Sequence, residues 1–337
     1  MTAEAWYRLP GERQWVRIEQ LEGEPEELVS CGQIGQAPGF VLAPFAATAD
    51  VPVVLIRPDR VSTGDVPQQT THGKPATAVE HGDREAYVSD FSLFHAKLCD
   101  SSFDKLVLAR CSDIDTDTVE DALQLFFRAC SLYPQQFVAL VRTARSGTWL
   151  MATPEVLLCS EGASWHTMAL AGTISAECDD AGWTAKNRME QQYVAAYVEQ
   201  CLSRCATEIK KEGPYTVVAG SLKHLRTDFT FALKPSQSIG TLVSELHPTP
   251  AVCGLPKNEA QQFILNNEHI DRRYYSGFAG PVDIGGHSSL FVTLRCMEIS
   301  GSHYRLYAGG GLLRESTAEQ EWRETEAKLS TMKDLIR

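Results

Sequence analysis

Glu321, Glu324 and Lys328 stand three and four residues apart near the end of the chain, inside AEQEWRETEAKLSTM at 318–332. At about 100° per residue, a helix here turns Trp322, Leu329, Met332 and Ile336 to one side as a core stripe. The two glutamates and the lysine then cluster within about 60° of one another along the border of that stripe. Arg323 and Glu326 point toward solvent. A solvated face with a Glu324–Lys328 i,i+4 pair explains these charges. They gain another meaning if a further carboxylate is carried to the same place.

That carboxylate is Glu190. On a helix predicted from Thr184 to about Cys205, Val194, Tyr197, Cys201 and Cys205 form the buried face, and Glu190 shares it, four residues before Val194. A carboxylate on an apolar stripe needs a cation, a metal or a proton. One reading is an arginine partner. The other is a divalent metal shared with Glu321 and Glu324, whose hard oxygens suit Mg²⁺. Lys105 supplies a possible base. In the strand read from FDKLVLAR (103–110) it alternates onto the face of Val107 and Ala109, opposite Leu106 and Leu108. It either snorkels to water at the strand end or sits in a desolvated cleft. Glu155, in Thr153-Pro154-Glu155 between two apolar strands, is a turn cap or a general acid with a raised pKa. Arg295, read within a strand over 290–297, is a cross-sheet ion pair or a bidentate clamp for a carboxylate. His247, before Pro248 in a rigid loop, reads as a structural hydrogen-bonding group.

The elements that position these residues are legible in outline. Residues 1–58 give short strands around 15–18, 39–45 and 53–56. The stretch 60–84 is poor in apolar residues and reads as an exposed loop. Tyr87, Phe91, Phe94 and Leu98 mark a helix. A second helix begins at Thr118, packs Leu123, Phe126, Phe127 and Cys130 inward, and stops at Tyr133-Pro134. Strands at 137–141, 148–152, 156–160 and 165–171 are spaced for antiparallel hairpins. The last of them ends in Gly172-Thr173, a small-residue turn that lets backbone N–H groups approach a ligand. A strand at 217–225 and a helix at 238–246 precede a Pro-punctuated loop, 246–257. The glycines 309–311 lead into the final helix.

The chain has 337 residues, a formal net charge of −12 and 22% charged residues. That balance argues against a nucleic-acid partner, whose phosphates demand a basic surface. It leaves room for a small anion in a local cationic pocket. No apolar run approaches a membrane span, and the N-terminus lacks a signal-peptide core. Ten cysteines without CxxC pairs read as reduced thiols of a cytoplasmic protein. No repeat, P-loop or dinucleotide fingerprint is present.

Taken together, KLVLAR, TPEVLL, ALAGT, KNRMEQ, LHPTPAVCGLPK, YYSGFAGP, VTLR, AGGGL and EWRETEAKLSTM resemble the chorismate-utilising enzymes, in the family's order from Lys105 to Met332. The resemblance implies a single large α+β domain with central, mostly antiparallel sheets flanked by helices. Residues 1–100 would be outer strands and a loop of the same fold, and 101–337 the chorismate-binding region. It implies Lys105 as the base that activates water for attack at C2 of chorismate, and Glu155 as the acid for the departing C4 hydroxyl. It implies Mg²⁺ on Glu190 and Glu324, with Glu321 contributing indirectly. Arg295 and Tyr275 would hold the enolpyruvyl carboxylate, and Gly172, Thr173, Ala251, Gly309 and Lys328 would make other substrate contacts. The loop LHPTPAVCG is similar to that of isochorismate synthases, whose product feeds menaquinone or siderophores. Salicylate synthases tend to have threonine at Ala251, and aminating members carry a different loop and take ammonia from a glutaminase subunit, which is not expected here. A catalytically silent homologue would have lost Lys105, Glu155 or a metal glutamate. Two positions depart from the family's pattern: Asn187 where an acidic residue is common, and Gln191 where histidine is common.

Overall fold

A computed structural model describes residues 3–67, 78–162, 164–177, 179, 182–220 and 222–336. Two antiparallel sheets are built from apolar, β-branched and aromatic strands. The larger runs in the order Gly254–Leu255, Lys105–Thr116, His303–Leu312, Cys296–Ser300, Gly147–Thr153, Phe137–Thr143, Ala3–Arg8, Gln14–Gln20, Arg60–Asp65, with Ala78–His81 also pairing with Lys105–Thr116. The other runs Ala206–Ala219, Leu222–Leu233, Ser164–Ser175, Val156–Glu161, Ser289–Val292, Phe278–Val282, Gly39–Ala43, Val53–Ile56, Glu26–Leu28. The first 65 residues thus feed strands into both sheets. Inward-facing residues of the two sheets meet in one core, where Phe137 stacks on Phe291 with centroids 4.1 Å apart.

Helices flank the sheets, most of them burying an apolar stripe. They are α1 (Arg84–Cys99), α2 (Ala122–Leu132), α3 (Ala185–Cys205), α4 (Ile239–Leu246), α5 (Lys257–Asn267) and α6 (Ala318–Ile336). α3 and α4 cover one sheet, α2 and α6 cover the other, and α1 and α5 pack over Leu106 and Leu108. Tyr87, Phe91, Phe94 and Leu98 are buried as their spacing requires, and so are Leu329, Met332 and Ile336, while Trp322 is half-buried.

Several boundaries differ from the sequence reading. Part of 60–84 forms the strands Arg60–Asp65 and Ala78–His81, because ladder hydrogen bonds to Gln14–Gln20 and Lys105–Thr116 outweigh its polar composition; residues 68–77 lie outside the described set. α2 starts at Ala122, where the Asp121 carboxylate accepts the Leu123 N–H, and its buried face is Ala122, Leu125, Phe126, Ala129 and Cys130. The 217–225 segment is a hairpin between two long strands. Gly172 does not end its strand; it forms a bulge at φ +75°, and the strand continues to Ser175. α5 carries no strong periodic stripe and was not anticipated. Nor is 290–297 one strand: Ser289–Val292 lies in one sheet and Cys296–Ser300 in the other.

That last break defines the geometry of the molecule. The chain crosses between sheets at Pro154-Glu155 and crosses back at Thr293–Arg295. The crossovers bind each other, with Ala152 N–H donating to Arg295 O at 2.8 Å and Val292 N–H to Glu155 O at 2.9 Å. The Thr153 hydroxyl adds a bond of 2.6 Å to Val292 O.

Candidate active site

Glu155 and Arg295 sit side by side because each occupies a sheet-to-sheet crossover, where strand pairing lapses and a side chain can turn into the gap. Both line a cavity of about 510 Å³, mouth included, together with Gly172, Thr173, Glu190 and Ala251. Tyr275, Gly309 and Lys328 border the same space. Lys105, fully buried, reaches it from the end of its strand through Glu190.

The partner that burial demands for Glu190 is Lys105: Nζ lies 3.0 Å from Oε1, an ion pair without hydrogen-bond geometry. Neither an arginine nor a snorkelling lysine is found. The approach depends on Gly311, since a Cβ there would fall 2.0 Å from Glu190 Oε1 and 3.0 Å from Lys105 Cε. Gly310 likewise admits α6, where a Cβ would lie 3.0 Å from Glu321 Oε2 and 3.9 Å from Glu324 Oε1. At Gly309 the space is taken by the Tyr275 hydroxyl, 2.6 Å from the Cβ position. The glycine run is therefore a strand stripped of side chains so that groups from two helices and a loop can press onto it.

On α6 the i,i+4 pair exists: Lys328 Nζ donates to Glu324 Oε1 at 2.5 Å and to Gly309 O at 2.8 Å. Glu321 is almost wholly buried and pairs with Lys186 of α3. Burial and the adjacent Glu324 push the Glu321 carboxyl up, against the pull of Lys186. Burial is the largest influence on Glu324, but Lys328, joined by Lys186 and His224, outweighs it and the net shift is downward. Arg323 is exposed as expected. Glu326 is only partly so, because it pairs with the buried Arg110, whose guanidinium stacks 3.8 Å from the Trp322 ring centroid.

Glu155 is different. Among the described residues it has no ion pair, and burial pushes its carboxyl up to about 8, against the opposing pull of Lys105, Arg295 and Lys328. It is protonated at neutral pH. Arg295 is buried, makes no ion pair among the described residues, and is therefore a cation free to receive an anion; burial lowers its pKa. Tyr275 is pushed up to about 12 by burial.

Three further residues complete the picture. His224, which the sequence did not flag, lines the cavity; its Nδ1 is 3.1 Å from Gly172 O, and its buried Nε2 has no partner. Burial, then Arg295 and Lys328, holds it at about 3, so it is a neutral imidazole. Asn187 closes a capping box on Thr184 and donates to Thr173 O at 3.3 Å, steadying the bulged strand. Gln191 donates to the Thr227 hydroxyl at 2.6 Å. His247 lies away from the cavity and bonds Pro44 O at 3.0 Å, the structural role read for it.

The donor set suits a hard divalent cation. Glu321 Oε2 is buried with no hydrogen-bond partner, and its neighbour Glu324 Oε1 reaches down over the same glycine strand. Among the described residues no three His, Cys, Asp or Glu groups already converge as a ligand set; each of the three glutamates is met by a lysine.

Comparison with known proteins agrees with this architecture. The family model described as "Chorismate binding enzyme" matches residues 57–337. The isochorismate synthase EntC of Escherichia coli (strain K12) is 34% identical over 239 residues, which is 68% of this chain and 61% of that protein. The solved structure of MenF, the menaquinone-specific isochorismate synthase from Escherichia coli, superposes with a TM-score of 0.83 at 22% identity, covering 99% of this chain and 89% of the other. Anthranilate synthase component I from Streptococcus pneumoniae shares the fold with a TM-score of 0.73 at 14% identity, covering 93% and 83%. The chain belongs to the chorismate-binding enzyme family. It spans less than two thirds of the length of the curated relatives it matches first, 61% for both EntC and MenF of Escherichia coli. Among the described residues, no helix is long and apolar enough to cross a membrane.

Proposed function

We propose that this chain is an isochorismate synthase, a Mg²⁺-dependent isomerase that converts chorismate to isochorismate. One observation carries the reading. A protonated carboxyl, Glu155, and a buried arginine without an ion pair among the described residues, Arg295, face the same cavity as Glu190, and the buried Lys105 stands 3.0 Å behind Glu190. An acid, a base and an anion-binding cation around one space are what allylic substitution on a dianion requires. Relatives named isochorismate synthases, and Ala251 in the LHPTPAVCG loop, direct the choice among chorismate chemistries.

In this mechanism Arg295 and the Tyr275 hydroxyl hold the enolpyruvyl carboxylate. Lys105 takes a proton from water as the oxygen bonds to C2. Glu155 gives its proton to the C4 hydroxyl, which leaves as water while the double bond shifts. One water enters and one leaves, so the product is an isomer. Gly172, Thr173, Gly309 and Lys328 shape the remaining wall. Glu190 and Glu324 would hold Mg²⁺, with Glu321 beside them, and the bound ion would neutralise the ring carboxylate. The reading includes a product destined for menaquinone or siderophore synthesis, since relatives are named for both.

The test is product analysis of the purified chain with chorismate and Mg²⁺, with and without ammonium, by chromatography and mass. An isomer of unchanged mass that disappears with EDTA is expected. An amine product, salicylate with pyruvate, or no turnover would each contradict the proposal.

A further inference from the structure

The strand Lys105–Thr116 is bonded along one edge to His303–Leu312 over its length. Its other edge has strand partners at the ends alone: Gly254–Leu255 opposite Leu106 and Lys105, and Ala78–His81 opposite residues 113–116. Between them, a backbone bond from Val107 N–H to Cys253 O at 2.7 Å and two side chains take the place of a strand. Glu268 Oε1 accepts the Ala109 N–H at 2.7 Å, and Arg272 Nη2 donates to Val107 O at 2.8 Å. Arg272 Nη1 donates to Val252 O at 2.7 Å, while Nε and Nη2 grip the two Glu268 oxygens at 2.6 and 2.7 Å. The side chains are 1% and 3% exposed, and the guanidinium lies 4.5 Å from the Phe45 ring centroid.

The ends of this clamp give it meaning. Val107 and Val252 both line the active cavity. Val107 is two residues from Lys105, and Val252 adjoins Ala251. One rigid, planar guanidinium thus spans the strand that carries the base and the loop that forms the opposite wall. A lysine at 272 would keep the charge but could not bridge two carbonyls and a bidentate carboxylate at once.

Building on the isochorismate synthase reading, we infer that Glu268 and Arg272 are positioning residues for the reaction. Their ion pair, acting beside the Val107–Cys253 backbone bond, fixes how the Ala251–Val252 wall sits against the Lys105 strand. A displacement of about 1 Å at such a wall is enough to cost about 100-fold in rate.

The test uses the E268M/R272M double variant, because a single truncation leaves the other charge buried, whereas an apolar pair can preserve folding. The expected result is a melting temperature within a few degrees of wild type, a kcat lower by about 10- to 100-fold, a KM changed less than threefold and an unshifted pH profile. Wild-type kcat and KM in the folded variant would overturn the inference. R272K is read by the same criteria should the double variant not fold. A crystal structure of whichever variant folds gives a reading independent of activity: residues 251–253 displaced by about 1 Å from Lys105 support the clamp, and an unmoved wall overturns it. Wild-type protein that forms no isochorismate would remove the functional reading alone, leaving the clamp to be judged by that displacement.

Discussion

Two groups of buried glutamates share this molecule and are treated in opposite ways. Glu190, Glu321 and Glu324 each have a lysine within ion-pair distance, namely Lys105, Lys186 and Lys328. Glu155, at the sheet crossover, has none, and takes up a proton instead. Burial works on Glu155, Glu321 and Glu324 alike; the difference is the cation that a helix or strand delivers, or fails to deliver, to carboxylate range. Three carboxylates kept beside cations are suited to hold a metal, and one kept protonated is suited to donate.

The contrast breaks most severely at Lys105. Lys105→Ala would remove the proposed base and leave Glu190 without its counter-charge, and kcat is expected to fall by about 10³- to 10⁴-fold, measured as isochorismate formation with the fold checked by circular dichroism. Glu190→Gln should abolish both activity and its response to Mg²⁺, matching the effect of EDTA on wild type; a titration of rate against Mg²⁺ reads both. Glu155→Gln is expected to lower kcat by about 10²- to 10³-fold and to remove the loss of activity expected of wild type as the pH rises through about 8. The same substitution bears on stability. In the folded protein the Glu155 carboxyl stands above its ordinary value of 4.5, so the stability it contributes is complete below that pH and lost as the pH rises through about 8. Denaturant melts of Glu155→Gln should therefore depend less on pH across that window than wild type does. Gly311→Ala sharpens the comparison from the other side: its Cβ would meet Glu190 Oε1 at 2.0 Å, so apparent Mg²⁺ affinity should weaken about tenfold or more while Glu155-dependent behaviour persists. Arg323→Ala, on the exposed face of α6, should change stability by less than about 0.5 kcal/mol and leave kcat unchanged.

How much of this could be read from sequence varied with the physics involved. Periodicity located the buried faces of α1, α3 and α6, because core stripes are local patterns. It also marked Glu190 as a carboxylate in need of a partner, but not Lys105 as that partner, since residues 105 and 190 meet only through the fold. Arg295 was placed inside a strand because VTLR continues an apolar run; the crossover that frees it depends on hydrogen bonds to residues 152–155. His224 gave no signal, lying in an ordinary strand pattern whose neighbours became the cavity wall. Glu268 and Arg272 carry no local signal, and their role as a substitute strand exists only beside the Val107–Ala109 edge. The glycine run was visible, whereas the reason for each glycine required the groups pressing on it.

The central claim is that Glu155, which has no ion pair among the described residues, is protonated at neutral pH. Infrared difference spectroscopy of isotope-labelled glutamate, comparing wild type with Glu155→Gln, tests it without relying on turnover. The account predicts a protonated carboxyl band at pH 7 that is missing from Glu155→Gln and titrates away in wild type near pH 8. A wild-type spectrum at pH 7 with no such band would contradict it.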